Sequence, residues 1–362
     1  MIKLAPVMME MSRRRVPHRI IFTGQHGRQT QALLDHFRLR KPDRTLYNGE
    51  GVFSAPHALR WIGRIICKAA LDRLRHDWEI FAPGPGVCVV HGDTLSTLLA
   101  VVLAGMLGLR VAHIESGLRS YNWRHPFPEE IIRVIANRRA DLLFAPGQWA
   151  RDNLLKMKVT GRIVTLAANT GKDALDYVLC LPSTGAETPP TGPFALASIH
   201  RFETVNRPQT LARAVDVVRR AAGSVKVIWP LHTVTRRALG AANLLDALAA
   251  ANVELREILP YPQFARLLGK ADFVITDGGS IQEESFFLDK PCLLLRRTTE
   301  RREGLGENVV LSRWDDGEID AFLADPRRHV RRTDIPAEGA SPVIVDELLS
   351  MHSRLSQRRT LE

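Results

Sequence analysis

The sequence predicts an α/β chain of two doubly wound domains, each a parallel sheet covered by helices, and three observations carry that expectation. Short β-branched runs alternate with longer helical patterns from Arg19 onward, as they do where helical crossovers join parallel strands. The runs are apolar at consecutive positions, which is what strands buried on both faces require. A Pro/Gly/Ser/Thr-rich stretch at 181–193 splits the alternation into two sets. At about 150 residues per domain, a length of 362 agrees with two.

The first set of strands is read at 20–23, 87–90, 110–114, 142–145 and 162–166, and the second at 194–197, 225–229, 253–258, 273–276 and 291–295. Helices intervene, for example at 207–222 and 281–288, and a last amphipathic helix runs over 343–358. The expected division is a first domain at 1–180, a second at 181–342 and the final helix at 343–362. The two domains should face a cleft, with ligand at the carboxyl ends of the strands. Residues 48–56 are rich in glycine and turn formers, and read as a loop near that cleft.

Composition narrows the function. The longest apolar run, 98–109, is too short to span a bilayer and contains two glycines, so it reads as a buried helix. The basic cluster Arg13 to Arg15 follows the first apolar stretch, whereas a secretory leader carries its charge ahead of it. A cytoplasmic protein with no membrane partner is expected. Cys67, Cys88, Cys180 and Cys292 have no short spacing, so they suggest buried small hydrophobes and neither a metal site nor a disulfide framework. The 50 Lys and Arg outnumber the 39 Asp and Glu, giving +11, but the basic residues are dispersed and aromatics are 6%. An anionic small molecule fits this better than nucleic acid.

Several constellations carry chemistry. HGDT at His91 and HIESGLRS at His113 each follow a strand, so Asp93 and Glu115 should sit side by side at the ends of neighbouring strands. Asp93 alone reads equally as the N-cap of the helix near Leu95, but glutamate is a poor cap. In HPFPEEIIR, Glu129 and Glu130 fall at the positive end of a helix, which by itself accounts for both, and Arg133 reads as their salt-bridge partner. TDGGSIQEES follows a strand and opens a helix, a ready anion site, with Glu284 placed to reach ribose hydroxyls. His200 and His232 end successive strands beside it. Phe264 reads as core or as a platform for a base.

Together these strings, with TGQH at Thr23, HRFET at His200, PLHT at Pro230 and TTERREG at Thr298, resemble the non-hydrolysing UDP-N-acetylglucosamine 2-epimerases of bacteria and archaea. They occur in order over nearly the whole chain. The resemblance implies two Rossmann-like domains in the manner of GT-B glycosyltransferases, with a C-terminal helix crossing back to the first. It implies Asp93, Glu115, Glu129 and His200 as catalytic residues. Gly278, Gly279 and Ser280 would hold the diphosphate, Glu284 the ribose and Phe264 the uracil, with Lys3, Arg119 and His232 as further substrate contacts. No cofactor or metal is expected, the partner is a UDP-sugar, and a homodimer is expected.

Two departures stand out. The family motif D-S-G-G is here Asp277-Gly278-Gly279-Ser280, so the serine hydroxyl has moved two places. Family members also begin with a strand and a G-T-R-P-E turn before a helix resembling residues 2–6. This chain starts at that helix, so a weakened first sheet and an in-frame strand encoded upstream are expected. Rival readings are a GT-B glycosyltransferase, a hydrolysing epimerase, a UDP-diacetamido-glucuronate 2-epimerase and a UDP-sugar-binding relative without turnover.

Overall fold

The structure, a computed structural model, describes residues 1–24, 27–47, 55–75, 86–123, 127–182 and 189–361. The motif residues Gln25, His26, His125 and Pro126, most of the 48–56 loop and the middle of the 181–193 stretch lie outside them. The chain forms two compact units, the first comprising Met1–Ala174 with Pro336–Glu362 and the second Leu175–Ile335.

In the first unit, β1 (Ile21–Phe22), β2 (Arg44–Thr45), β3 (Val87–His91), β4 (Arg110–Ile114), β5 (Leu142–Pro146) and β6 (Arg162–Leu166) are all parallel. The sheet order is β3-β4-β5-β6, while β1 pairs only with β2 in a separate ribbon. The expectation of one continuous first sheet is therefore corrected. The 20–23 run yields two strand residues, because among the described residues no strand lies hydrogen-bonded between β1 and β3.

Period-2 alternation sorts the four-stranded sheet onto two helical layers. Ala112, Ile114, Leu142 and Phe144 pack with Val7, Ile344, Val345 and Leu348. Val90, Val111, Leu143 and Ala145 pack on the other side with Val101, Ala104, Ala136 and Leu154. Residues 7 and 344–348 belong to the helices Ala5–Arg13 and Ala340–Leu361, so the C-terminal helix closes the first unit. Its start is fixed by Asp173, whose carboxylate accepts from the backbone N–H of Ala340 (3.1 Å) and Ser341 (2.7 Å) and from the Ser341 hydroxyl.

The second unit carries one parallel sheet in the order β12-β11-β10-β7-β8-β9, built from β7 (Phe194–Ser198), β8 (Lys226–Leu231), β9 (Val253–Glu257), β10 (Phe273–Thr276), β11 (Cys292–Leu294) and β12 (Val309–Leu311). The helix Pro208–Ala222 buries Leu211, Val215, Val218 and Ala222 against Val227 and Trp229. The opposite face packs Leu267, Leu268 and Ile281 on Leu196, Ile228 and Val274. Strand order reverses between β7 and β10, the switch point at which doubly wound sheets bind ligands. Three-residue β12 carried too short a pattern to be read in advance.

One further expectation is corrected. Cys67 and Cys180 are exposed and Cys88 is half-buried, leaving Cys292 alone as a buried small hydrophobe. Cys67 lies on the helix Ala55–Arg75, whose other face buries Trp61, Ile65 and Ala69. Among the described residues no helix is long and apolar enough to cross a membrane.

Asp173→Ala should strip the start of the C-terminal helix of its acceptors and destabilise the protein by about 1–2 kcal/mol. Hydrogen exchange should show faster exchange at Ala340 and Ser341 and little change in β7 or β8.

Candidate active site

Strand register sets the first part of the site. His91 pairs with Ile114 across β3 and β4, so Asp93, two residues past β3, and Glu115, one past β4, emerge at adjacent strand ends. Both are ordered by cations. The Lys3 ammonium donates to Oε1 of Glu115 at 2.6 Å. His91 Nε2 lies 3.1 Å from Oε2 of the same carboxylate. Arg133 places Nη2 2.5 Å from Oδ2 of Asp93. Glu115 itself sits at φ 63°, in the left-handed region, a strain of about 1–3 kcal/mol for a residue other than glycine.

Asp93 is not the helix cap. Thr94 takes that position for the helix Leu95–Met106, accepting from Thr97 N, which leaves Asp93 to Arg133. His113, buried on β4, donates from Nε2 to the Gly92 carbonyl at 2.8 Å, and its Nδ1 faces the Asn137 side-chain amide at 2.9 Å. It ties the Gly92–Asp93 turn to the helix Glu129–Arg139. Burial lowers the pKa of both His91 and His113, so both rings are neutral at pH 7.

The helix Glu129–Arg139 separates its two leading glutamates. Glu130 is completely buried, and its carboxylate accepts from Arg119 Nε (2.6 Å), Ser120 N (2.9 Å) and Tyr121 N (3.2 Å), with Arg133 Nη1 at 3.4 Å. Burial pushes its pKa upward, but the Ser120 and Arg119 hydrogen bonds prevail and hold it below the usual carboxylate range. Arg119 is thus engaged by Glu130, and its guanidinium covers the Tyr121 ring at 4.7 Å. Glu129 has a buried Oε2 with no hydrogen-bond partner among the described residues. Glu129 and Arg133 stand four apart on one helix face, so the Arg133–Asp93 contact brings the start of this helix to the ends of β3 and β4.

The second unit holds the glycine loop. Gly278 precedes the helix Gly279–Phe287, whose first N–H groups have no intrahelical acceptor. Gly278 N donates to the Thr276 hydroxyl at 3.0 Å, which donates to Ser198 O at 2.7 Å. Buried Asp277 accepts from the backbone N–H of His200 and Arg201, each at 3.0 Å, locking the turn after β7 to the end of β10. His200 lies against Gly278, where an added Cβ would stand 3.1 Å from its Cε1. The His200 and His232 rings are 4.9 Å apart. Burial, then the His200 charge, lowers the pKa of His232.

A Cβ on Gly279 would meet Arg301 Nε at 2.7 Å, and Arg301 is also ion-paired with Glu283. Ser280 is exposed on the first turn of that helix, and Phe264 is half-buried against the Leu267 and Ile281 core. Glu284 is buried beside Tyr261, whose hydroxyl is pushed well above the ordinary tyrosine range by burial and by the Glu284 charge.

The first unit therefore brings together Lys3, Asp93, Glu115, Arg119 and Glu129, and the second brings together His200, His232, Gly278, Gly279, Ser280 and Glu284. Sequence reasoning placed Glu130 only at the positive end of a helix, and it gave no site role to His91, Asp277, Tyr261 or Arg301. His91, Asp277 and Arg301 each lie inside a quoted motif string, and that was their only signal.

The profile of the family described as UDP-N-acetylglucosamine 2-epimerase matches residues 9–325. The chain is 31% identical to the UDP-N-acetylglucosamine 2-epimerase of Bacillus subtilis, covering 96% of this chain and 92% of that one. It is also 31% identical to the UDP-2,3-diacetamido-2,3-dideoxy-D-glucuronate 2-epimerase of Pseudomonas aeruginosa, over 81% of this chain and 79% of that one. The crystal structure of UDP-GlcNAc 2-epimerase from Neisseria meningitidis bound to UDP-GlcNAc is similar with a TM-score of 0.81 and 26% identity, covering 96% of each chain.

Glu130→Gln should cost about 3–5 kcal/mol near neutral pH, because it leaves two buried guanidinium groups short of their anion. A carboxyl whose pKa is lowered by folding stabilises the fold above its unfolded pKa and loses that contribution as pH falls through the folded one. Urea denaturation should therefore show the gap between wild type and variant widest near pH 7 and closing below the ordinary carboxylate range.

Proposed function

The chain belongs to the UDP-N-acetylglucosamine 2-epimerase family, and from that premise we propose that it interconverts UDP-N-acetylglucosamine and UDP-N-acetylmannosamine. The observation that carries the reading is the placement of Asp93 and Glu115 at adjacent strand ends, each seated on a cation, with Glu129 one helical turn before the Arg133 that holds Asp93.

The chemistry explains why several carboxylates are needed. The C2 proton of the sugar lies next to no carbonyl, so a carboxylate cannot remove it directly. If the C1–O bond to UDP breaks first, positive charge develops on the ring and the C2 proton becomes acidic enough for a nearby carboxylate to take. The bond electrons leave with UDP, the C2–H electrons form the C1–C2 double bond of 2-acetamidoglucal, and the carboxylate holds the proton. Protonation of the opposite face of C2 and return of UDP to C1 give the epimer. Asp93, Glu115 and Glu129 divide the acid and base roles, and Lys3 and Arg133 hold two of them in place through ion pairs.

The second unit handles the leaving group. Gly278, Gly279 and Ser280 form the loop that receives the diphosphate at a helix N-terminus, which stabilises the charge developing on it; the Gly278 N–H is already spent on Thr276, so Gly279 and Ser280 supply the N–H donors. His200 and His232 flank that loop, and Arg301 adds a permanent cation. Glu284, oriented by Tyr261, takes the ribose, and Phe264 stacks on uracil. Arg119 contacts substrate from the position in which Glu130 holds it. No cofactor enters this scheme. The reading includes a homodimer in the cytoplasm. The Pseudomonas aeruginosa relative supports a second reading, an acidic diacetamido sugar on the same UDP carrier, and parallel assays of the two substrates separate them.

In deuterated water the protein should convert UDP-N-acetylglucosamine to its manno epimer with deuterium at C2, read by NMR; full retention of the original proton would overturn the elimination route.

Asp93→Asn, Glu115→Gln and Glu129→Gln should each lower turnover by roughly 10²-fold or more with UDP binding kept. Gly279→Val, which drives a side chain into Arg301, should abolish UDP binding in calorimetry. The reverse pattern would exchange the roles assigned to the two units.

A further inference from the structure

The carboxylates of Asp93 and Glu115 emerge side by side, yet they differ in exposure, Asp93 being partly open to solvent and Glu115 buried, and in the partners that meet them. Asp93 is met by Arg133, whose guanidinium is a permanent cation and cannot accept a proton. Glu115 is met on Oε1 by an ammonium, Lys3, and on Oε2 by an imidazole, His91. Only the second kind of neighbour can take a proton and pass it on near neutral pH.

The placement of His91 is built into the sheet. It is the last residue of β3, paired with Ile114, so its side chain reaches the residue that follows β4. The ring is mostly buried, and Nε2 stands 3.1 Å from Oε2, off the line of a finished hydrogen bond. Apo geometry of this kind tightens when substrate binds. The left-handed backbone of Glu115 holds the carboxylate in this position between Lys3 and His91.

We propose that His91 is a positioning residue for Glu115 and the route by which the Glu115 carboxyl exchanges its proton with water. The proposal rests on Glu115 being one of the acid/base groups. With Lys3 on Oε1, the proton taken from C2 resides on Oε2. The Oε2–H bond then breaks, its electron pair stays with the carboxylate, and an N–H bond forms at Nε2. The imidazolium loses its Nδ1 proton to water, so one proton has left Glu115 and one has entered solvent. The neutral ring left behind presents Nε2–H to Oε2, and the reverse sequence reloads the carboxyl. Asp93 is about a quarter exposed and can exchange with water directly, whereas Glu115 is almost fully buried and depends on His91 for that exchange.

The test measures exchange and elimination together. In deuterated water, wild-type protein and His91→Gln are given UDP-N-acetylglucosamine; deuterium at C2 of recovered substrate and product is read by NMR, and glycal formation by mass spectrometry. His91→Gln should lower exchange relative to elimination by roughly 10²-fold, with KM unchanged. His91→Gly should regain exchange when imidazole is added. An exchange-to-elimination ratio equal to wild type, or a His91→Gly variant that imidazole does not restore, would overturn the role of His91. Wild-type protein that forms neither epimer nor glycal would instead overturn the epimerase reading, and this proposal with it.

Discussion

Full charges buried in the first unit are tolerable only because they compensate one another, and the carboxylate of Glu130 is the group on which that compensation turns. It sits at zero exposure between Arg119 and Arg133. Arg133 in turn reaches Asp93, so a single chain of alternating charges runs from the segment after β4, through the helix Glu129–Arg139, to the turn after β3. None of these groups could be neutralised without stranding the next. That obligation fixes where the helix begins, and hence where Glu129 stands.

The same logic governs how much could be read from residues alone. β5 was legible because every position along it is apolar and buried, and β4 because four consecutive buried positions follow its exposed Arg110. β2 was not, since a two-residue strand with exposed side chains carries no period, while β1 was read within 20–23 and is two residues long. The candidate site was legible as a set of residue types at strand ends, but the division of labour within it was not. Glu129 and Glu130 share one local explanation, the positive end of a helix, and only tertiary partners distinguish an orphan oxygen from a fully satisfied carboxylate. Asp93 likewise looked like a cap until Thr94 occupied that role. Long-range pairs such as Lys3 with Glu115 lie beyond any local pattern.

The rearranged glycine loop shows how a motif can shift without losing its frame. The hydroxyl that braces Gly278 comes from Thr276, at the end of the strand, and Asp277 is committed to the turn after β7. The loop is held by residues on its N-terminal side, which leaves Ser280 exposed on the first helical turn. With the serine at position 280, the hydroxyl stands on the exposed first turn of the helix while the backbone of the loop stays anchored through Thr276 and Asp277.

Because residues 336–362 complete the unit that begins the chain, translation order and spatial order disagree. A ribosome releases all of 175–335 before the helix Ala340–Leu361 exists, so the second unit has everything it needs to fold while the first still lacks a layer. Throughout that interval the apolar face formed by Ala112, Ile114, Leu142 and Phe144 lacks Ile344, Val345 and Leu348 as its cover. Nascent chains with such a face uncovered are aggregation-prone. The first unit is accordingly the last to mature, and its burden on chaperones is set by a segment made only after the whole second unit.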